Sequence, residues 1–210
     1  MKTNQDYKNA ALMALKGNWG PAVLLTIIYF AITVVAAAAN TGESVVGSLF
    51  YSAVMICVLL PLLVGMYNRF YGLLFGERVN FVQGAFSVGF NNWGHHVGGM
   101  FLMGLYTFLW TLCLIVPGII KGLAYSLTPF ILAEKPELSA NEAIELSMKM
   151  MEGHKMEFFM LWLSFIGWSI LGILTLCIGY LWLVPYMYTA TAAFYEDVKA
   201  DYESKQVVEA

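Results

Sequence analysis

Charge is what this sequence is short of. Of its 210 residues only 12% are Asp, Glu, Lys or Arg, while 60% are apolar. An ordinary soluble domain runs about 25% charged and about 45–50% apolar. Eleven basic and fourteen acidic side chains are too few to cover a water-soluble globule of this size or to keep a chain disordered. A net charge of −3 leaves no basic surface for nucleic acid. Cysteine is scarce as well: Cys57, Cys113 and Cys177 have neither Cys-x-x-Cys spacing nor an even count, so no disulfide framework is expected. Each falls in or beside an apolar run and reads as a small residue packed between helices. The mean hydropathy of +0.69 points to an integral membrane protein.

The gaps between charges place the spans. No Asp, Glu, Lys or Arg occurs for 26 positions after Lys16, 25 after Glu43, 42 after Arg78 or 38 after Glu157. A helix crosses about 30 Å of hydrocarbon in about 20 residues. The expected fold is therefore all-α, a polytopic bundle of six transmembrane helices in three hairpins, with spans at 21–39, 46–67, 97–116, 118–133, 157–175 and 180–196. The last two join through a turn between Gly172 and Gly179. The fourth span is short, contains Lys121, and meets Pro129, which removes a backbone donor. A re-entrant element there, leaving four crossings, is the alternative.

Orientation follows from the basic residues. With the amino terminus inside, Lys2, Lys8, Lys16, Arg69, Arg78, Lys135, Lys149, Lys155, Lys199 and Lys205 are cytoplasmic, ten of the eleven. The outer connections 40–45, 117–118 and 176–179 carry none. Lys121 is the exception, and its stem can snorkel to the outer headgroups. Both termini are expected inside. The run ending in Ala36–Ala39 resembles a signal peptide, but its apolar stretch is too long, and a retained helix is expected.

The chain also resembles itself three times over. Asn18-Trp19-Gly20 and Asn92-Trp93-Gly94 open the first and third spans, and Gly153-His154-Lys155 stands before the fifth. Leu59-Leu60-Pro61, Ile115-Val116-Pro117 and Leu183-Val184-Pro185 open the second helix of each pair. Phe70-Tyr71 and Phe194-Tyr195 follow two of these prolines. An interfacial amphipathic segment precedes each pair. In the first, Tyr7, Ala11 and Leu15 form the apolar stripe. In the third, Ser139 and Glu142 form a capping box ahead of the stripe Ala140, Ile144, Met148 and Met151. The middle one, Val79 to Phe90, is rich in glycine and weaker as a helix. Trp19 and Trp93 are the expected interfacial anchors. Gly118-x-x-x-Gly122 offers the small-residue spacing that lets helices approach within a span.

The strings LWTLCLIVPGIIKGLAYSLTPFILAE (109–134), LSANEAIELSMKMMEGHK (138–155), LSFIGWSILGILTLCIGYLWLVPY (163–186) and AAFYEDV (192–198) closely resemble a bacterial membrane family known as "domain of unknown function 975". ALKGNWG (14–20) is similar to that family's opening. The resemblance implies a multi-span protein of the bacterial cytoplasmic membrane with no established activity, so it brings no catalytic residues. A looser likeness to membrane domains attached to some glycerophosphodiester phosphodiesterases implies an accessory role.

Motifs for chemistry are sparse. His95 and His96 are adjacent and diverge on a helix, and His154 has no companion carboxylate pattern, so no metal site and no cofactor are expected. No nucleophile with a matched base can be assembled, and the expectation is not an enzyme. An ionisable group inside a span is the default functional candidate. Lys121, with Tyr125, Ser126 and Thr128 ahead of Pro129, is therefore the candidate ligand or headgroup contact. Glu134, Glu137, Glu142, Glu145 and Glu152 read as a solvated cytoplasmic face that could dock a protein partner. The acidic tail from Glu196 reads as a frayed helix end followed by disorder. Two functions follow: a non-enzymatic bundle organising membrane lipids or partner proteins, or a small transporter or permease subunit with its site near Lys121.

Overall fold

The protein is described here from a computed structural model covering residues 2–40, 44–77 and 79–209. Residues 41–43 of the expected outer connection 40–45, and the basic Arg78, lie outside the described residues. All regular structure among the described residues is helical. Five stretches are long and apolar enough to cross a membrane: Trp19–Ala39, Val45–Leu74, Trp93–Cys113, Ile115–Glu134 and Lys155–Leu174.

The first helix, α1 (Asn4–Leu15), starts from a capping box. Thr3 Oγ1 accepts from the Asp6 amide at 3.3 Å, and the Asp6 carboxylate accepts from the Thr3 amide at 2.8 Å. Its buried stripe is Tyr7, Ala11 and Leu15. Gly17, at φ +82°, ends it. Then α2 (Trp19–Ala39) runs unbroken through apolar sequence.

The return arm is one 30-residue helical run made of α3 (Val45–Val54), a π turn (Met55–Leu59) and α4 (Leu60–Leu74). Pro61 does not open this arm, as the repeat pattern suggested; it sits in the middle. Lacking an N–H, it cannot pair the Cys57 carbonyl four residues back. The Trp93 indole N–H does so instead, at 2.8 Å.

The glycine-rich middle segment is helical after all, as α5 (Phe81–Asn91). Its glycines serve close contact rather than breakage. A Cβ on Gly65 of α4 would lie 1.9 Å from the Ala85 carbonyl oxygen, and one on Gly89 would lie 2.5 Å from that of Pro61. The two antiparallel backbones touch because neither position has a side chain.

Next, α6 (Trp93–Cys113) and α7 (Ile115–Tyr125) form a tight hairpin. Gly118 abuts Thr111 and Gly122 abuts Thr107, so the expected small-residue spacing faces a threonine pair. Both threonine hydroxyls donate to carbonyls one turn back, at 2.8 Å, which leaves no unpaired donor in an apolar setting. After a break at Ser126–Leu127 come α8 (Thr128–Glu134) and α9 (Ala140–Met150). The Ser139–Glu142 capping box opens α9. Its buried residues are Ala143, Ile144, Ser147 and Met150, a stripe rotated from the expected one.

The expected fifth span is two helices, α10 (Lys155–Leu163) and α11 (Ile166–Leu174). Lys8 donates to the Ser164 carbonyl at the break between them, at 3.0 Å. Finally, α12 (Tyr180–Glu209) runs for 30 residues with Pro185 inside it. The expected sixth span opens this helix, where Tyr180, Trp182, Tyr186, Tyr188, Thr189 and Thr191 dilute the aliphatics. Where a frayed end and disorder were expected, the helix runs on to Glu209, and side chains from α1 and from the His154 turn reach it at Asp197 and Asp201.

Two apolar cores join these elements. One packs α12 against α1, α8, α9 and α10 around Phe130, Phe194 and Tyr195. The other packs α2, α4 and α5 around Leu25, Met66 and Phe70. A chain of rings connects them. Phe130 stacks on Tyr195 at 4.7 Å, Tyr67 meets both Phe130 and Tyr188 edge-on, and Tyr188 stacks on Phe70 at 5.8 Å.

Candidate functional site

The residues expected to form a site, Lys121, Tyr125, Ser126 and Thr128, do not converge on one point. Lys121 lies over the Trp110 ring, its nitrogen 5.2 Å from the centroid. The Tyr125 side chain also lies near Trp110, while its ring is buried with Ile144 in a small cluster. Ser126 turns inward and donates to the Leu123 carbonyl at 2.7 Å. Thr128 is buried in the core, where its hydroxyl has no hydrogen-bond partner among the described residues. What the first two share is Trp110, a residue the sequence reading did not single out.

The histidines do not converge either. His95 and His96 are side by side, but the His96 ring is buried and bonded to the Gly89 carbonyl at 2.8 Å. His154 lies elsewhere, between Glu157 at 3.1 Å and Asp201 at 3.0 Å. Among the described residues no three His, Cys, Asp or Glu side chains are placed to hold a metal ion. Of the two expected anchors, Trp93 is half exposed with its N–H bonded to the Cys57 carbonyl rather than to water. Trp19 lines an apolar groove of about 410 Å³ with Trp168, Leu171, Trp182 and Tyr186.

The strongest polar constellation is one the sequence reading passed over. It is built on the carboxyl-terminal half of α12, at Tyr195, Glu196, Asp197, Lys199 and Asp201. Asp197 accepts from the Tyr7 hydroxyl at 2.7 Å and from the Lys2 amide at 3.0 Å. Glu196 accepts from the Tyr71 hydroxyl at 2.5 Å. Glu134 accepts from the Tyr195 hydroxyl at 2.6 Å and is paired with Lys199. Asp201 takes His154 and Lys205. In this way a two-turn stretch of α12 ties down, from its different sides, α1, α4, α8 and the α9–α10 turn.

Glu134 is therefore not part of a solvated face, as expected for it; Glu137, Glu142 and Glu145 are exposed. Burial pushes the Asp197 carboxyl up, but the Lys2 amide and the Tyr7 hydroxyl outweigh that and hold it below the usual range. Lys205 and His154 likewise lower Asp201. The signal that could have found this knot was in plain view: AAFYEDV, one of the strings carrying the resemblance, sets two acids directly after an aromatic pair.

The cysteines are not packed between helices as expected. Cys113 and Cys177 are exposed and Cys57 is partly so. The two exposed ones stand at the turns of the α6–α7 and α11–α12 hairpins.

Neither the curated proteins nor the solved structures contain a match to this chain. The sequence profile of one family does match, over residues 99–202, a stretch running from within α6 to the knot on α12. Over that stretch the chain matches the family described as "Protein of unknown function (DUF975)".

Proposed function

We propose that the protein is a non-enzymatic integral bundle that organises lipid at the cytoplasmic membrane of a bacterium, with both termini on the cytoplasmic side. One observation carries this reading. The polar side chains of the knot are spent on one another at one end of the molecule, whereas the candidate spans present apolar side chains outward. Val34, Val35, Leu49, Leu112, Leu171 and Leu174 are all exposed. A surface of that kind fits acyl chains, and it lacks the convergent polar groups that a hydrolytic centre or an ion path requires. The distribution of basic residues favours cytoplasmic termini, which any even number of crossings satisfies, the expected six or four. The groove bordered by Trp19, Trp168 and Trp182 suits a lipid chain whose headgroup lies near Lys16.

Native mass spectrometry of the protein released gently from its membrane tests the reading. Co-purifying phospholipid, unchanged in Lys121→Ala, is the expected result. A stoichiometric small polar solute that disappears in Lys121→Ala would replace this reading with the transporter.

A further inference from the structure

Resting on that membrane reading, we infer that the α6–α7 hairpin does not cross the bilayer: it dips into the acyl chains of the cytoplasmic leaflet and returns. Four observations carry this. First, the arm after the turn is too short. The apolar stretch Ile115–Glu134 has span length, but half of its most apolar window is buried inside the protein, against 17% for α6. Thr128–Leu132 are core residues and Glu134 belongs to the knot. Only the 11 residues of α7 remain for lipid, about 16 Å of helix against about 30 Å of hydrocarbon.

Second, the other arm is tied down close to the turn. The Tyr106 hydroxyl donates to Asn141 at 3.1 Å. Asn141 lies in the first turn of α9, beside the exposed Glu142 and Glu145, which belong in water. From Tyr106 to Leu114 is eight positions, about 12 Å.

Third, the apex has nothing to place in water. Every residue from Thr111 to Val116 is exposed, with Leu112, Leu114, Ile115 and Val116 at 65–73%. No charged or amide side chain occurs there. The connection of the first hairpin differs, being bounded by the polar Asn40 and Ser44, whereas the α11–α12 turn is as apolar as this apex but lacks the short, tied-down arms.

Fourth, the inference removes the one exception to the basic-residue rule. Gly118 faces Thr111 and Gly122 faces Thr107, so Lys121 lies level with Phe108, two positions beyond Tyr106. Its nitrogen lies over the Trp110 ring, so an aromatic face meets the charge at that depth. All eleven basic residues then lie on one side.

The native cysteine at the apex supplies the test. A full-length chain carrying Cys57→Ser and Cys177→Ser retains only Cys113. A membrane-impermeant maleimide is applied to intact cells and to inside-out vesicles, then again after detergent. Cys113 should stay unlabelled from both faces and label fully in detergent. Labelling from outside overturns the inference and leaves the membrane reading standing. Labelling from the cytoplasmic face puts the apex in water and also overturns it. Carbonate extraction of the same vesicles tests membrane integration separately, and release of the protein would end the reading beneath the inference. A second variant, Leu114→Asp, should reduce the membrane-integrated protein several-fold; undiminished levels would place residue 114 in an aqueous loop and overturn the inference.

Discussion

Glu134 holds two partners at once, the Tyr195 hydroxyl and the Lys199 ammonium, so the consequences of removing each are unequal. Tyr195→Phe deletes one hydrogen bond to a charged acceptor and should cost about 1.5–3 kcal/mol. Glu134→Ala leaves both partners stranded in a part-buried site and should cost more. Thermal unfolding in detergent should rank the two in that order. Acid acts on the same surface. The Asp197 and Asp201 carboxyls lie below their ordinary value of 3.8 in the folded protein. Their stabilisation is complete above that value and is lost as pH falls through the lower folded values. Proteolysis of the α12 tail should therefore quicken only below about pH 4, and Asp197→Asn should make it fast at neutral pH. AAFYEDV marks the α12 side of these contacts, but the pairing of its acids with Tyr7 and Tyr71 was not legible in the sequence. Hydroxyl–carboxylate pairs 190 residues apart, such as Tyr7 and Asp197, have no local pattern, because tertiary packing alone brings them together.

Glycine decides the helix contacts, and two substitutions separate its roles. Gly65→Ala would drive a methyl group into the Ala85 backbone, where nothing flexible can give way. It should cost about 3 kcal/mol or more and loosen α5 from α4. Gly98→Ala, also in a helix, meets no atom within 4 Å and should stabilise α6 by about 0.5–1 kcal/mol. Unfolding midpoints of the two variants should move in opposite directions. At this scale the sequence was readable where periodicity and capping ruled. The charge gaps located α2 and α6 to within a few residues, and the Ser139–Glu142 box gave the start of α9. It misled where one residue type has two uses. The glycines of α5 made it read as a weaker helix because sequence alone does not reveal a neighbouring backbone, and Pro61 read as a helix start because sequence does not show that Trp93 takes the Cys57 carbonyl it leaves free, 36 residues back.

Across the whole molecule, the reading predicts that the protein is retained in membranes after carbonate washing. It also predicts that a chain keeping only Cys177 labels from outside the cell, at the turn joining α11 to α12. Protection of Cys177 from both faces would mean that this hairpin stops short as well. Composition and charge spacing made the membrane class legible, but the depth of each hairpin was not. Apolar sequence packed in a core and apolar sequence facing lipid have the same composition, as Thr128–Leu132 shows.

The knot has a consequence for how the molecule comes to be built. Lys2 and Tyr7 are made first, yet their partner Asp197 emerges only after every hairpin has been synthesised. Tyr71, Glu134 and His154 wait for the same short segment of α12. The helices must enter the bilayer one after another with this end of the bundle still open, and contacts of such long sequence separation close slowly. During that interval Tyr7 and Phe130 lack the rings of Phe194 and Tyr195 that cover them in the finished protein, so the last helix to be made is the one that closes the bundle.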